Sequence, residues 1–386
     1  MDFHSILNVA VKETASDVHL KAGLPPILRI YGELVPIKNY NRLTPDEISK
    51  IAVRIMTNVQ KETFKSNHQV DLAYSVPGLG RFRINIFQQR GATGLSLRVI
   101  PMLIHTFDEL RLPKTLEKLS MEQRGLILVT GITGSGKSTT IASMLDYINN
   151  HRTCHVITIE DPIEFLHKDK RCIINQREIG IDTRTFSESL RGALRQDPDI
   201  IMVGEMRDLE TTEIALTAAE TGHMVLSTLH TIDAMETINR IVSIFPPYQQ
   251  KQVRIQLAGV LKGVVSQRLM PMEEGNGRVP AVEVMVTTSR IRECIEDKDK
   301  TKEIHDSVSK GFSTYGMQTF DQSIMGLLKK GLISYDEAMR QSSNPDDFAL
   351  KVKGITSDSD MGWKDFEKEK TETEGGDEGE VDIERF

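Results

Sequence analysis

Short apolar runs alternate with segments of helical periodicity over most of the chain after residue 100. The clearest apolar runs are residues 126–130, 155–159, 200–203 and 224–228. Each run has the length of a strand, and apolar residues at nearly every position are typical of strands buried on both faces. Helices are expected at residues 232–243, 247–268, 288–296 and 318–330. Strands that alternate with helices predict a mainly parallel sheet covered by helices, which is an α/β fold.

The first 100 residues follow a different pattern, in which strands with polar–apolar alternation dominate. Residues 81–86 read RFRINI, which puts three apolar side chains on one face of a strand and Arg81 and Arg83 on the other. Thr44, with Glu47 three residues later, predicts a helix that begins with a capping box. We therefore expect a smaller α+β domain in this region.

Composition divides the chain into three parts. We predict an α+β domain at residues 1–100, an α/β domain at 101–355 and a disordered acidic tail at 356–386. The tail has 12 acidic and 4 basic side chains, so it carries −8 against −7 for the whole chain, which leaves +1 for the rest. A nearly neutral body gives no support for a nucleic-acid-binding surface. The tail is typical of a solubilising segment, although Trp363 and Phe366 leave open a short partner-binding motif.

Targeting and cysteine signals favour a protein of the reducing cytoplasm. We find no run of 18 or more apolar residues, and the first residues lack the basic and apolar regions of a secretory signal. Cys154, Cys172 and Cys294 are odd in number and widely spaced. This spacing argues against a disulfide framework and against a cysteine zinc site.

The most informative motif is a glycine-rich loop at residues 131–138, which reads GITGSGKS. It fits the phosphate-loop pattern G-x-x-x-x-G-K-[ST], and it lies between an apolar strand and a helix, as that motif requires. Lys137 is expected to contact the β- and γ-phosphates of ATP, and Ser138 to bind Mg²⁺. The residues expected to bind the nucleotide are Thr133, Gly134, Ser135, Gly136, Lys137, Ser138 and Thr139.

Acidic residues follow two of the predicted strands. Glu160 and Asp161 end the strand at 155–159, and Glu164 follows shortly after. Because the carboxyl ends of parallel strands meet at one edge of the sheet, we expect Glu160 and Asp161 to lie near the phosphates. Glu160 is therefore a candidate Mg²⁺ ligand beside Ser138, either directly or through water.

The second acidic position follows the four apolar residues at 200–203, which is the Walker B layout. Gly204 stands where an aspartate is usual, so Mg²⁺ binding through water is expected here. Glu205 then becomes the candidate general base or water-orienting residue.

Two histidines and two arginines complete the candidate catalytic set. His223 and His230 bracket the strand at 224–229, where an imidazole can donate to a phosphate or contact an acid. Each is equally compatible with a structural role. Arg81 and Arg83 are either solvated or act as arginine fingers toward the nucleotide of a neighbouring subunit.

The motifs at residues 158–164, 190–211 and 221–231, with ASDVH at 15–19, resemble those of the secretion ATPases of the type II/type IV pilus superfamily, in particular the PilT/PilU-type pilus retraction branch. The resemblance runs to about residue 354. It implies a RecA-like phosphate-loop ATPase domain with a PAS-like N-terminal domain. It also implies a homohexamer at the inner face of the inner membrane, whose ATP hydrolysis drives a membrane platform protein and retracts the pilus.

The same resemblance assigns roles to residues of this sequence. It makes Glu205 the catalytic glutamate, puts Glu160, Asp161 and Glu164 in an acidic box, and puts the two histidines in a histidine box. It also implies that arginines of the N-terminal domain contribute to the site, which fits Arg81 and Arg83.

Three other functions stay open. A related secretion or pilus assembly system uses the same chemistry. An accessory paralogue that works with a second retraction ATPase is suggested by residues 290–297, RIRECIED, which depart from the retraction-branch sequence, and by the acidic tail. A nucleic-acid motor is disfavoured by the neutral body, so no direct nucleic-acid partner is expected.

Overall fold

The computed structural model describes residues 3–30, 32–38, 40–275 and 277–354. The chain forms two compact units, of which the first comprises Met1–Ile104 and Pro162–His167 and the second comprises His105–Asp161 and Lys168–Phe386. Thus the segment Pro162–His167, which we expected in the second domain, groups with the first unit. The predicted acidic tail, with Trp363 and Phe366, lies outside the described residues.

The first unit is an antiparallel sheet with three helices. Its elements are α1 (Phe3–Lys12), β1 (Asp17–Leu20), β2 (Ile27–Ile30), β3 (Glu33–Pro36), α2 (Pro45–Ile55), α3 (Asn58–Asn67), β4 (Gln69–Val76), β5 (Gly80–Gln89) and β6 (Ala92–Ile100). The six strands pair in the order β3-β2-β1-β6-β5-β4, and every pairing is antiparallel.

Local sequence rules account for the elements of this unit. Thr44 accepts the backbone N–H of Glu47, whose side chain returns to the Thr44 N–H, so α2 begins with the predicted capping box. On β5, Phe82, Ile84 and Ile86 are fully buried in the unit's core, as the alternation predicted. This burial leaves the odd-numbered positions of β5 on the other face of the sheet.

The second unit alternates strands and helices and ends in short helices. Its elements up to the last strand are α4 (Thr115–Ser120), β7 (Gly125–Thr130), α5 (Lys137–His151), β8 (His155–Glu160), β9 (Ile173–Glu178), α6 (Phe186–Ala193), β10 (Ile200–Val203), α7 (Leu209–Glu220), β11 (Met224–Leu229), α8 (Ala234–Ile244), α9 (Gln250–Val260), β12 (Leu261–Pro271) and β13 (Arg278–Val286). After these come α10 (Ser289–Glu296), a 3₁₀ turn (Thr301–Glu303), α11 (Ile304–Lys310), α12 (Phe312–Tyr315), α13 (Phe320–Lys329), α14 (Tyr335–Gln341) and α15 (Pro345–Val352).

The seven strands of this unit form one sheet in the order β13-β12-β7-β11-β10-β8-β9. All neighbouring strands are parallel except β13, which pairs antiparallel with β12 at the edge. β7, β10 and β11 are buried at every position, because helices cover both faces of the sheet. The predicted parallel sheet is therefore confirmed. No helix among the described residues is both long and apolar enough to cross a membrane.

The helix predicted at residues 247–268 is wrong in its second half. α9 ends at Val260, and Leu261–Pro271 forms β12, which inserts between β7 and β13. Val264 and Val265 pair with Leu128 and Val129 of β7. A continuous apolar stretch does not distinguish a buried strand from a helix by period, and here the pairing with β7 decides the outcome.

Two of the three cysteines lie side by side, which their separation in sequence did not indicate. Cys154 and Cys172 each precede a strand, and β8 and β9 pair in parallel with His155 opposite Ile173. This register brings the two Sγ atoms to 3.2 Å, and both thiols are free.

Candidate nucleotide site

The chemistry-bearing residues lie at one edge of the parallel sheet. β7, β11, β10 and β8 are consecutive neighbours and run in the same direction, so their carboxyl ends meet there. The phosphate loop follows β7, Glu160 ends β8, and Glu205 and His230 follow β10 and β11. Ligands of open α/β sheets bind at this edge.

The phosphate loop depends on glycine backbone conformations. Gly131, Gly134 and Gly136 have φ values of 140°, 79° and 94°, which other residues rarely adopt. Lys137 is buried, and its Nζ donates to the carbonyls of Gly131 (2.8 Å) and Ile132 (3.0 Å). The loop therefore wraps around the lysine head group, which places a positive charge at the start of α5.

The loop has the features of an anion cradle. The Ser135 Oγ atom is buried and has no hydrogen-bond partner within the described part of the chain. A Cβ added at Gly131 would lie 2.5 Å from this atom and 2.4 Å from the Gln267 carbonyl oxygen, so only glycine fits. The 15-residue helix α5 starts here, and its N-terminal dipole favours a negative charge. The unpaired Ser135 hydroxyl, the absence of a side chain at Gly131 and the N-terminus of α5 together fit a bound phosphate.

The other predicted loop residues take different positions around this cradle. Thr133 and Gly134 are exposed at the tip of the loop, whereas Ser138 and Thr139 are half-buried in the first turn of α5. The first turn of a helix is where a phosphate-loop hydroxyl approaches the metal bound to the phosphates.

Glu160 is buried at the end of β8 and held from two sides. Its Oε1 accepts the Thr158 hydroxyl at 2.6 Å and the side-chain amide of Gln176 on β9 at 3.0 Å. Burying a carboxylate is costly unless donors satisfy it. These contacts fix the direction in which Glu160 points.

Steric crowding explains why glycine, and not the usual Walker B aspartate, occupies position 204. The Gly204 N–H donates to the Ile159 carbonyl at 2.8 Å. A Cβ at this position would lie 3.2 Å from the Ile159 carbonyl oxygen and 3.5 Å from the Glu160 Cα. Strand β8 therefore leaves little room for the usual aspartate, and Glu205 is the next acid along the chain.

Glu205 lies between two basic side chains. Its Oε2 is 2.5 Å from Arg207 Nε and 3.6 Å from His230 Nε2. The Glu205 carboxyl is only 12% exposed, whereas Arg207 and His230 are largely open to solvent. Glu205 is thus shielded yet next to a solvent-facing surface, which suits a group that handles a water molecule.

The structure separates His223 from this cluster. His223 precedes β11 at the opposite edge of the sheet, where its carbonyl accepts the N–H of Gly125, the first residue of β7. Strand β7 spans about 20 Å at 3.3 Å per residue, so His223 does not reach the phosphate loop of its own chain. Its ring lies against the Ala218 carbonyl, which is a structural contact.

Asp161 is exposed directly after β8, next to Glu160 in sequence. Glu164 belongs to the segment Pro162–His167, which groups with the first unit. Arg81 and Arg83 are on β5 of that unit. Arg83 is exposed and Arg81 is half-buried. The geometry of the second unit therefore supports Glu160, Glu205 and His230 directly.

The residues present fit a bound Mg²⁺ only together with a nucleotide. Among the described residues no group of three or more His, Cys, Asp or Glu side chains could hold a metal. Mg²⁺ in such sites keeps several waters and is bound by one or two protein oxygens plus substrate phosphates. Ser138 and Glu160 supply hard oxygen donors of this kind, and Glu205 can act through water.

A cavity of about 310 Å³ opens beside the phosphate loop within the second unit. Its lining residues are Glu109, Leu110, Arg111, Leu112, Ser135, Gly136, Thr139, Thr140, Gln267, Leu269, Met272, Arg278, Val279 and Pro280. Gln267 Nε2 donates to Thr140 Oγ1 at 2.8 Å, which joins β12 to the first turn of α5. The volume and the mixed polar and apolar lining are typical of a pocket for a small-molecule ligand.

The sequence patterns did not point to two of the contacts at this edge. Arg207 follows Glu205 by two residues, but charge alone does not indicate a contact between them. Gln176 lies on β9, whose sequence IINQRE is too polar to stand out as a strand. Both contacts depend on how neighbouring elements pack.

A parallel sheet with a phosphate loop after a central strand, and with shielded carboxylates on the neighbouring strand ends, defines a RecA-like phosphate-loop ATPase. The chain matches the family described as "Type II/IV secretion system protein" over residues 2–340, so it belongs to that family. This membership confirms the resemblance seen in its motifs.

Its relatives agree with this assignment. The chain is 47% identical to the type IV pilus retraction ATPase PilT of Pseudomonas aeruginosa, over 90% of this chain and all of that protein. It is 39% identical to the type IV pilus ATPase PilU of the same organism, over 93% of this chain and 94% of that protein. A crystal structure of the pilus retraction motor PilT with bound ADP matches with a TM-score of 0.82 and 48% identity, and covers 90% of this chain and 98% of that one. The protein is an ATPase.

Proposed function

We propose that this ATPase drives the retraction of type IV pili, and with it twitching motility. One observation carries the proposal: the phosphate loop, Glu160 and Glu205 meet at one sheet edge in a chain that is 47% identical to PilT over 90% of its own length. The family match runs over residues 2–340 and so includes the first unit, which supports the proposal.

The residues at the sheet edge take the following roles in hydrolysis. Lys137 and the loop amides bind the phosphates. Ser138 and Glu160 would hold Mg²⁺, which would supply neutralisation of charge on the transferring phosphate. Glu205 orients a water toward the γ-phosphorus and accepts its proton as the bond to the leaving ADP breaks. His230 keeps the Glu205 carboxylate in place.

The cavity beside the phosphate loop takes the base and ribose of ATP. It borders Ser135, Gly136 and Thr139, so a nucleotide whose phosphates lie in the loop extends into it. Leu269 and Val279 offer apolar contacts to the base, and Arg278 offers a cation.

We propose that the conversion of ATP hydrolysis into mechanical work involves more than one copy of the chain. We assign the protein to a homohexamer at the cytoplasmic face of the inner membrane, where it acts on an inner-membrane platform protein of the pilus. Arg81 and Arg83 then serve as arginine fingers toward the nucleotide of a neighbouring subunit. Asp161, Glu164 and His223 are assigned to the same subunit boundary.

Deleting the gene tests the proposal. Cells that lack the protein should carry excess pili that do not retract and should not twitch. The wild-type gene should restore retraction, and a Glu205→Gln gene should not. A strain that loses its pili altogether would instead indicate a motor for pilus assembly.

A second candidate, an accessory ATPase that works beside a main retraction motor, is favoured by the 39% identity to PilU and by the altered sequence RIRECIED at residues 290–297. Arg290 of α10 pairs with Glu293 in the same helix and with Glu303 in the 3₁₀ turn, so the altered sequence takes part in ion pairs. Turnover by the purified protein separates the two candidates. An accessory protein should bind ATP with little turnover alone and be stimulated by a paralogue.

A further inference from the structure

Glu283 is a buried acid that hydrolysis as described above does not use. It lies on β13 and is 5% exposed. Its Oε1 accepts the backbone N–H of Ala234 at 2.9 Å in a fully buried contact. A carboxyl group in such a place is costly, so a purpose beyond filling space is expected.

Its partner is the first residue of α8. The first N–H groups of a helix have no acceptor within the helix, and side chains usually supply one. Asp233 caps α8 locally by accepting the Glu236 N–H at 2.7 Å. Glu283 supplies a second acceptor from a strand 49 residues away in sequence, so α8 is fastened to the sheet at its very start.

The fastened end lies four residues from the nucleotide site. β11 ends at Leu229, and residues 230–233 form the whole connection to α8. His230 begins this connection, and its Nε2 lies 3.6 Å from Glu205 Oε2. Within the connection, Thr231 Oγ1 contacts Thr237 Oγ1 at 2.6 Å. Because this connection is short and held by the Thr231–Thr237 contact, a movement of Ala234 is expected to move His230 as well.

Glu283 is also in register with the phosphate-loop strand. Ser266 of β12 lies opposite Glu283 on β13 and opposite Thr130 on β7. Thr130 donates its hydroxyl to Ser266 Oγ at 2.9 Å and is the residue before the loop. Side chains paired across strands share one face of the sheet, so this row of polar residues runs from the phosphate loop to the start of α8.

Three charged side chains, each from a different part of the second unit, influence the Glu283 carboxyl. Asp233 precedes α8, Arg268 lies on β12, and Asp321 lies on α13. Burial raises the pKa of Glu283 to about 7, against the lowering effect of the Ala234 N–H. The ionised form accepts a stronger hydrogen bond than the protonated form does.

We propose that Glu283 is a positioning residue of the nucleotide site, which holds the start of α8 and thereby sets His230 against Glu205. The proposal rests on the roles assigned above to Glu205 and His230. It differs from a purely structural role because it predicts an effect on turnover rather than on ATP binding.

The full-length variants Glu283→Leu and Glu283→Gln test it. Leucine has no acceptor for Ala234, whereas glutamine keeps one and cannot ionise. We expect Glu283→Leu to lower kcat about tenfold with KM for ATP within about twofold of wild type. Hydrogen exchange in residues 230–237 should accelerate in Glu283→Leu and stay slow in Glu283→Gln. Glu337→Gln, at another buried glutamate, is the matched control and should change neither quantity.

The pH dependence supplies the test if Glu283→Leu does not fold. At pH 6 wild-type Glu283 is mostly protonated and resembles glutamine, so the two proteins should have similar kcat. At pH 8 the ionised carboxylate holds Ala234 more tightly, and the ratio of wild-type to Glu283→Gln kcat should rise about two- to threefold.

These measurements distinguish a positioning role of Glu283 from a purely structural role and from a role in ATP binding. A constant kcat ratio from pH 6 to pH 8, unchanged exchange in folded Glu283→Leu, or a loss that lies only in KM would overturn the proposal. If Glu205→Gln keeps full activity while exchange responds as expected, the role of Glu205 is wrong and the fastening of α8 by Glu283 still stands.

Discussion

Arg207 Nε lies 2.5 Å from Glu205 Oε2, so the acid assigned to water activation is paired with a cation from its own loop. Arg207 is 71% exposed, and solvent screens such a pair. The Arg207–Glu205 pair therefore serves mainly to orient the carboxylate, because the planar guanidinium restricts the rotamers of Glu205. This contact and the one with His230 leave Glu205 with a narrow range of directions.

Replacing Arg207 tests this restriction. We expect Arg207→Gln to lower kcat roughly three- to tenfold with little change in KM, since ATP does not depend on this side chain for binding. Steady-state hydrolysis measures both constants. Arg191→Gln, which breaks the exposed pair of Arg191 with Glu210, is the matched control and should behave like wild type. A KM effect without a kcat effect would show that Arg207 contacts the nucleotide instead.

The phosphate loop should tolerate a methyl group at one glycine and not at another. At Gly131 a Cβ would lie 2.4 Å from the Gln267 carbonyl, whereas at Gly134 nothing lies within 4 Å. We expect Gly131→Ala to cost roughly 2 kcal/mol or more of unfolding free energy, and Gly134→Ala about 1 kcal/mol from its positive φ alone. Urea denaturation of the two variants checks the order. Equal losses would mean that the close approach at Gly131 is absent in solution.

Parts of the fold and of the site followed from local sequence rules. The phosphate loop depends on glycines at fixed spacing, and the capping box at Thr44 depends on a contact three residues apart. These are interactions that a linear pattern contains. The contacts of Glu205 with His230 and of Glu160 with Gln176 join different strands, so they appear only when the sheet order is known.

Other features of the fold and the site depend on the tertiary arrangement. Leu261–Pro271 is apolar enough for either a helix or a strand, and its place beside β7 makes it β12. His223 and His230 look equivalent in sequence because they bracket one strand, yet a strand has two ends, and only one lies at the carboxyl edge of the sheet. The tertiary arrangement separates them.

The thiol of Cys154 should react slowly. Burial, together with the contact with Cys172 Sγ, raises the pKa of Cys154 to about 12. Because only the thiolate is nucleophilic, about one molecule in ten thousand is reactive at pH 8, far fewer than for an ordinary thiol. Alkylation of the Cys154 peptide by iodoacetamide, followed by mass spectrometry, should accelerate steadily up to pH 10 without a plateau. A plateau near pH 9, as glutathione shows, would contradict this.

Stability should depend on the proton of Glu283. Burial raises the pKa of this carboxyl from its ordinary 4.5 to about 7, so the folded protein binds the proton more tightly than the unfolded chain does. Its contribution to stability is therefore present below pH 4.5 and is lost as the pH rises toward 7. Glu283→Gln should gain stability relative to wild type between pH 5 and pH 8, measured by urea midpoints. A difference that does not vary with pH would place the pKa of Glu283 in its ordinary range.

Glu205 is proposed to activate water for a phosphate held by Lys137. The most direct measurement compares ATP binding and ATP hydrolysis in Glu205→Gln and in Glu213→Gln, an exposed glutamate on α7. We expect Glu205→Gln to bind ATP as wild type does and to lose at least about a hundredfold in kcat, while Glu213→Gln keeps full activity. Hydrolysis by Glu205→Gln at the wild-type rate would show that Glu205 does not activate the water.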